Sequence, residues 1–222
     1  RLRCDWSSDV CSSDLGHGKT TTQAAIVDLI NETRAVHIVT VEDPIEYVHT
    51  HKHSLVDQRE VGADTQSFLH ALKYVLRQDP DVIQIGEMRD LETIQAALMS
   101  AETGHLVFAT LHTNDAIHTV DRVIDVFPPV CQQQVRFQLS MTLLAVLSQR
   151  LLPREDGEGR VMVYELLKNN TAIANLIREG KTHQVLSALE TGRKEGMITM
   201  DRCIQDVYTA GIISFEEAQL NM

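Results

Sequence analysis

The sequence has no pair of cysteines at C-x-x-C spacing. Its four cysteines, Cys4, Cys11, Cys131 and Cys203, lie far apart, which excludes a zinc ribbon and a disulfide scaffold and fits a reducing, cytoplasmic setting. Long apolar runs are missing too. The longest, such as Leu143 to Leu147, fall well short of the roughly 20 residues that a bilayer span needs. No charged-then-apolar signal opens the chain, so any membrane role is expected to be peripheral, with no integral span. Basic residues are scarce: 20 Lys and Arg stand against 31 Asp and Glu, a formal charge of -11 with the ten histidines neutral. That balance opposes a nucleic-acid partner. What is present is length and apolar content: 222 residues, 43% of them hydrophobic, suffice for a real core and one to two domains.

Residues 1–15, RLRCDWSSDVCSSDL, contain the near repeat SSDV and SSDL, the single Trp (Trp6) and half of the cysteines. They have neither helical nor strand periodicity. The stretch resembles the translated read-through of a sequencing adapter joined to a truncated gene, and it is set aside as a non-native leader. Cys4 and Cys11 then carry no functional weight.

From Gly16 onward helical and strand periods alternate, the mark of an α/β layer architecture. Helices are expected near 21–31, from Asp64 or Thr65 to Arg77, at 91–102, 116–126 and 131–147. Buried strands are expected at 35–41, 82–85 and 106–111, the first two ending in acids at Glu42-Asp43 and Glu87. Segments 150–153 and 160–166 flank an acidic, glycine-containing turn and read as a hairpin. Short helices follow, and the spacing of Ser214 and Glu217 suits a capping box. The organisation read from these patterns is a leader (1–15), a mixed α/β core (16–166) and a small helical subdomain (167–222).

Gly16-His17-Gly18-Lys19-Thr20-Thr21 opens the first helix, which puts backbone N–H groups, a positive helix end and a mobile ammonium in one place suited to phosphate. The full P-loop pattern wants a glycine where Ser13 stands, so half of the motif is present. In this reading Lys19 reaches the β- and γ-phosphates of ATP and the Thr20 hydroxyl ligates magnesium. Glu87, delivered by a buried strand, would orient and deprotonate the attacking water or hold a magnesium-bound one; a lone acid after a strand is otherwise a surface carboxylate. Asp43 or Glu46 would assist the metal through water. His105 and His112, one at each end of an apolar strand, could sense the γ-phosphate or simply pack. His49, His51 and His53 lack a carboxylate or cysteine at ligand spacing and suit an exposed loop.

TVEDPIEY at 40–47, VDQREVG at 56–62, QDPDVIQIGEMRDLETIQAAL at 78–98, TGHLVFATLHTNDA at 103–116 and AIANLIREGKTHQ at 172–184 together resemble the type IV pilus retraction ATPases of the secretion ATPase superfamily, in family order and spacing. The resemblance covers nearly all of residues 16–222. It implies a RecA-like P-loop NTPase core with a carboxyl-terminal helical subdomain. Residues 42–46 would be an acidic box, Glu87 the catalytic acid of an atypical Walker B strand, and His105 and His112 the histidines of a His box. It also implies a homohexameric ring driving pilus retraction and twitching motility, cytoplasmic and peripheral to the inner membrane, working against a platform protein of the pilus machinery. Interface arginines stabilise charge in such rings, and Arg59 and Arg77 are the candidates, with ordinary surface ion pairs as the competing reading. The amino-terminal PAS-like domain, the strand before the P-loop and that loop's first half are expected to be missing, and the chain is therefore expected to be impaired in turnover. Three alternatives stand beside this one. They are an assembly or secretion ATPase, which the absence of a four-cysteine zinc motif between 116 and 170 disfavours, a nucleotide-binding module without turnover, and a RecA-like DNA motor, which the negative charge opposes.

Overall fold

The computed structural model describes residues 8–12 and 16–222. The readings of Cys4, Trp6 and Ser13 lie outside these residues. In chain order the first half comprises β1 (Ser8–Ser12), α1 (Lys19–Thr33), β2 (His37–Glu42), β3 (Leu55–Glu60), α2 (Phe68–Val75), β4 (Val82–Ile85), α3 (Leu91–Glu102) and β5 (Leu106–Leu111). There follow α4 (Ala116–Asp125), α5 (Pro129–Thr142), β6 (Leu143–Pro153), β7 (Arg160–Lys168), α6 (Thr171–Arg178), α7 (Val185–Thr191), α8 (Met200–Thr209) and α9 (Phe215–Asn221).

Among the described residues the strands form one sheet in the order β3-β2-β4-β5-β1-β6-β7. All neighbours are parallel except the β6–β7 hairpin. β2, β4 and β5 are buried almost throughout, as strands covered on both faces must be, which is why they read as continuous apolar runs. One face packs Val39, Val41, Ile83, Ile85, Val107 and Ala109 against α2 to α5. The opposite face packs Ile38, Val82, Leu106 and Phe108 against Val27 and Ile30 of α1. Ile173 and Ile177 of α6 and Val185 and Leu189 of α7 are buried in the first of these cores. Cys203 and Ile204 of α8 and Ala218 of α9 form a smaller core with Leu152 and Val163 of the hairpin.

Four elements differ from the sequence-based expectation. Ser8–Ser12 is a strand between β5 and β6; it precedes the glycine-lysine turn in the chain, where the strand before the P-loop was expected to be missing and residues 1–15 to lack strand character. Ladder pairing satisfies backbone N–H and C=O groups whatever the side chains, so position in the sheet overrides weak propensity. β3, with its polar sequence LVDQRE, was not foreseen as a strand and forms the sheet edge. Helix α2 begins two or three residues later than expected because Ser67, and not Asp64 or Thr65, caps it, its hydroxyl accepting from His70 N. The helix expected over 131–147 stops at Thr142, and Leu143 onward is strand β6, where nine residue pairs with β7 outweigh continuing the helix. Among the described residues no helix is long and apolar enough to cross a membrane.

Candidate functional site: a cleft at the carboxyl ends of the strands

The connection from β1 enters α1 through Gly18, whose φ of 84° lies in the left-handed region that glycine adopts without strain. A Cβ there would also press on Gln149 Nε2 at 3.4 Å. Helix α1 starts at Lys19 behind the N-cap Gly18, which offers no side-chain cap, and its first N–H groups and positive dipole end make a place suited to an anion. The preceding turn is stapled to β6: Leu151 N donates to His17 Nδ1 (3.0 Å), Gln149 Nε2 to His17 O (2.8 Å), and Thr22 Oγ1 to Gln149 Oε1 (2.9 Å). His17 is therefore a structural brace of the turn.

In front of this helix end lies a cleft of about 460 Å³. Gly16, Gly18, Lys19, Thr20 and Thr21 line one wall, and Glu42, Asp43, Glu46, Glu87 and His112 the others. Open α/β sheets bind ligands here, outside the carboxyl ends of the strands. Lys19 Nζ donates to His112 Nδ1 at 2.9 Å and to Leu111 O at 3.3 Å. An ammonium can only donate, so His112 accepts through Nδ1 and its ring proton sits on Nε2. That nitrogen lies 3.7 Å from Glu87 Oε2, which also receives Arg89 Nε at 2.8 Å. The lysine of the half P-loop and the acid of β4 thus face one space, joined through one imidazole. Gly86, just before Glu87, donates its N–H to Val41 O (2.8 Å) and accepts from the Thr110 hydroxyl, which fixes the turn that aims the acid. Across the mouth, Thr21 Oγ1 lies 3.0 Å from Tyr47 Oη.

Three candidates stand elsewhere. His105 is at the opposite end of β5, hydrogen-bonded to Thr103 Oγ1 (3.0 Å) and Ser100 O (2.9 Å). A six-residue strand separates its two flanking histidines by about 20 Å, so they cannot share a site within one chain. Arg59 donates to Gln78 Oε1 at 2.7 Å on the edge strand, and Arg77 lies over the Tyr74 ring at 5.8 Å. Neither of the two lines the cleft. His49, His51 and His53 fall in the loop before β3, as expected. Gln23, Gln84, Arg89, Thr110 and Arg160 also line the cleft, and sequence reasoning singled out none of them as a site residue; Glu42 lines it too, and had entered only as the first residue of the acidic box. Only the two-residue alternation that places Thr40, Glu42 and Gln84 beneath α1 could have signalled some of them.

The oxygen-rich donor set of Thr20, Glu42, Asp43 and Glu46 suits a hard divalent cation such as Mg²⁺. Among the described residues no three His, Cys, Asp or Glu side chains form a metal cage. Magnesium held largely by phosphates and water needs none.

A parallel α/β sheet whose half P-loop and strand-end acid converge on one cleft defines a P-loop NTPase core. The family model for type II/IV secretion system proteins matches residues 10–157, and the chain belongs to that family. A twitching motility protein of Neisseria gonorrhoeae is 54% identical over 204 residues, covering 92% of this chain and 54% of the relative. A type IV pilus retractation ATPase, PilT, of Pseudomonas aeruginosa is 52% identical over 92% of this chain and 59% of its own length. The chain thus spans a little over half the length of these relatives. The crystal structure of a pilus retraction motor PilT with bound ADP superposes with a TM-score of 0.92 at 52% identity, covering 98% of this chain and 61% of that one. A Legionella pneumophila ATPase, DotB, superposes at 0.89 with 29% identity. The RecA-like fold expected from the sequence is the fold observed.

Proposed function

We propose that this chain carries the ATP-binding and ATP-hydrolysing core of a type IV pilus retraction motor. The observation that carries the reading is the convergence of Lys19, His112 and Glu87 on one cleft at the strand ends. The similarity to a retraction motor with bound ADP supports it. Phosphate charge would rest on the α1 N–H groups and Lys19, with Thr21 beside them. Glu87 would orient the attacking water and take its proton, positioned by Arg89 and His112. Thr20, with the acids of 42–46, would hold Mg²⁺, which supplies charge neutralisation at the transferring phosphoryl group.

The working unit in this reading is a homohexamer in the cytoplasm, peripheral to the inner membrane, acting on the pilus machinery through its platform protein. Arg59, Arg77 and His105 lie outside the chain's own cleft and are candidates for contact with a neighbouring subunit's nucleotide.

The test is nucleotide binding and phosphate release measured together on this chain. Wild type should bind ADP with a Kd below about 1 mM, within the range typical of enzyme–substrate affinities. Lys19→Ala should abolish binding, and Glu87→Gln should bind but not turn over. Binding without any phosphate release would mark the chain as a nucleotide-binding module. Absence of binding would sink the nucleotide-site reading.

A further inference from the structure

We propose that Glu165 of β7 is a positioning residue of the nucleotide cleft: its hydrogen bond to the first residue of α4 sets where His112 stands, and ties that imidazole to the hairpin carrying the carboxyl-terminal helices. The inference rests on the nucleotide-site reading above for its effect on turnover. Its effect on the His112 ring does not depend on that reading.

Only Thr113, Asn114 and Asp115 separate His112 from the start of α4 at Ala116. The helix start therefore fixes one end of the segment that bears the ring, and Leu111 of β5 fixes the other. Three sets of contacts hold the α4 end. The Asp115 side chain accepts from His118 N at 2.8 Å. Thr119 Oγ1 donates to Asp115 O at 2.7 Å and lies 2.6 Å from Thr113 Oγ1. Glu165 Oε1 accepts from Ala116 N at 2.8 Å. The first two sets lie within the segment and its own helix. Glu165 comes from 49 residues away and is 6% exposed.

Capping does not explain Glu165. Asp115 already caps α4, and a carboxylate taken out of water costs stability. Burial pushes the Glu165 carboxyl above its ordinary 4.5, the sign of a charge held against its own desolvation. Groups kept at a cost to stability are commonly functional. The surroundings on the hairpin indicate the function. Tyr164 N donates to Cys203 Sγ of α8 at 3.4 Å. Leu166 exchanges two backbone hydrogen bonds with Ile198, just before α8, at 2.9 and 3.2 Å. Across the hairpin, Glu165, Tyr164 and Met162 pair with Ser148, Gln149 and Leu151 of β6. Gln149 and Leu151 are the residues that staple the His17 turn. One hairpin thus holds the turn before Lys19 through β6 and the segment after His112 through β7, and it is itself tied to α8. The 2.9 Å contact between Lys19 and His112 is set between these two holds.

The experiment reads the ring directly, by nitrogen-15 NMR of the histidine-labelled 222-residue chain without nucleotide, alongside phosphate release with ATP and magnesium. The His112 signals are those lost in His112→Ala. In wild type the ring should carry its proton on Nε2, since Lys19 donates to Nδ1. Glu165→Leu should shift both ring nitrogens. It should also lower phosphate release by up to about a hundredfold, the scale of a misplacement of about 1 Å at a reacting group, with ADP affinity largely kept. Glu165→Gln, which retains the acceptor, should restore both readings. Glu190→Gln removes an exposed carboxylate from a second cleft that Glu165 also lines, and it should change neither. In a His112→Ala background Glu165→Leu should cost nothing further, because residues acting through one another are non-additive. Should Glu165→Leu not fold, Glu165→Met, unbranched as glutamate is, takes its place with the same expectations. Unmoved ring nitrogens in the variant without an acceptor overturn the proposal. So does an equal shift in Glu190→Gln, or a full further loss of release in the His112→Ala background. If wild type releases no phosphate, the turnover reading fails by itself, and the ring nitrogens still decide whether Glu165 positions His112.

Discussion

Lys19 Nζ and His112 Nδ1 are 2.9 Å apart, so the lysine that the P-loop reading assigns to phosphate is held by the imidazole that borders Glu87. A phosphate group arriving at Lys19 would compete for that contact, and the nitrogen facing Glu87 would register the change. If the bridge operates, His112→Ala should lower phosphate release at least about a hundredfold, the low end for a group assisting proton transfer, with ADP affinity largely kept. Combined with Glu87→Gln it should add little, because residues acting as one unit are non-additive. Multiplicative losses in the double variant would show that the two residues act separately.

Gly86 marks where the sheet tolerates no side chain. A Cβ at this position would lie 3.2 Å from Val41 O and 3.3 Å from Glu42 Cα, both backbone atoms with little room to yield. Gly86→Ala should therefore cost about 1–3 kcal/mol in urea unfolding, the range for overpacking. It should also weaken ADP binding, because the strands that would have to part carry Glu42 and Glu87.

Much of this was legible in the sequence where periodicity and burial agree. β4, α3 and β5 have the bounds their patterns give, and Lys19, Thr20 and Glu87 meet because a glycine-lysine turn and a strand-end acid converge in any sheet of this kind. The failures have separate causes. Leu143 to Leu147 is a short apolar run, and such a run suits a helix end or a buried strand equally. β1 and β3 are polar strands whose place is set by their neighbours. His105 and His112 looked like a pair because they flank one strand, yet the strand's length keeps them apart. Gln84 stayed invisible, and Glu42 showed only as the first residue of the acidic box, because a buried polar residue has meaning only once its face and partners are known.

His118, after the capping residue Asp115, should titrate above its ordinary 6.5. Asp115 Oδ2 lies 2.6 Å from its Nδ1, and the hydrogen bond and charge of Asp115 raise its pKa. A raised folded pKa means that the pair's contribution to stability is complete below pH 6.5 and fades as pH climbs through the raised value. The ring is largely exposed, so the effect should be small and shrink with salt. Asp115→Asn keeps a good helix cap while removing the charge. In NMR titration it should return the His118 ring towards 6.5, and an unmoved ring would rule out Asp115 as the cause.

Glu165 gives the same sign from a different cause, burial in place of an ion pair. It is buried, its carboxylate accepts from Ala116 N at 2.8 Å at the start of α4, and burial is the main reason its pKa is raised above the ordinary 4.5, the Asp115 charge adding to it. The folded state then holds this proton more tightly than the unfolded chain, so stability falls as pH rises from 4.5 through the raised value, and the penalty persists above it. Glu165→Gln keeps an oxygen for the Ala116 N–H and carries no charge. Its melting temperature should therefore change less than that of wild type across that interval, and near neutral pH it should match or exceed wild type. Glu165→Leu, which also removes the acceptor, should lose about 1 kcal/mol relative to Gln at every pH, the typical worth of a helix-end hydrogen bond. Equal pH slopes for wild type and Glu165→Gln would mean that the buried carboxylate is not what makes the fold sensitive to rising pH.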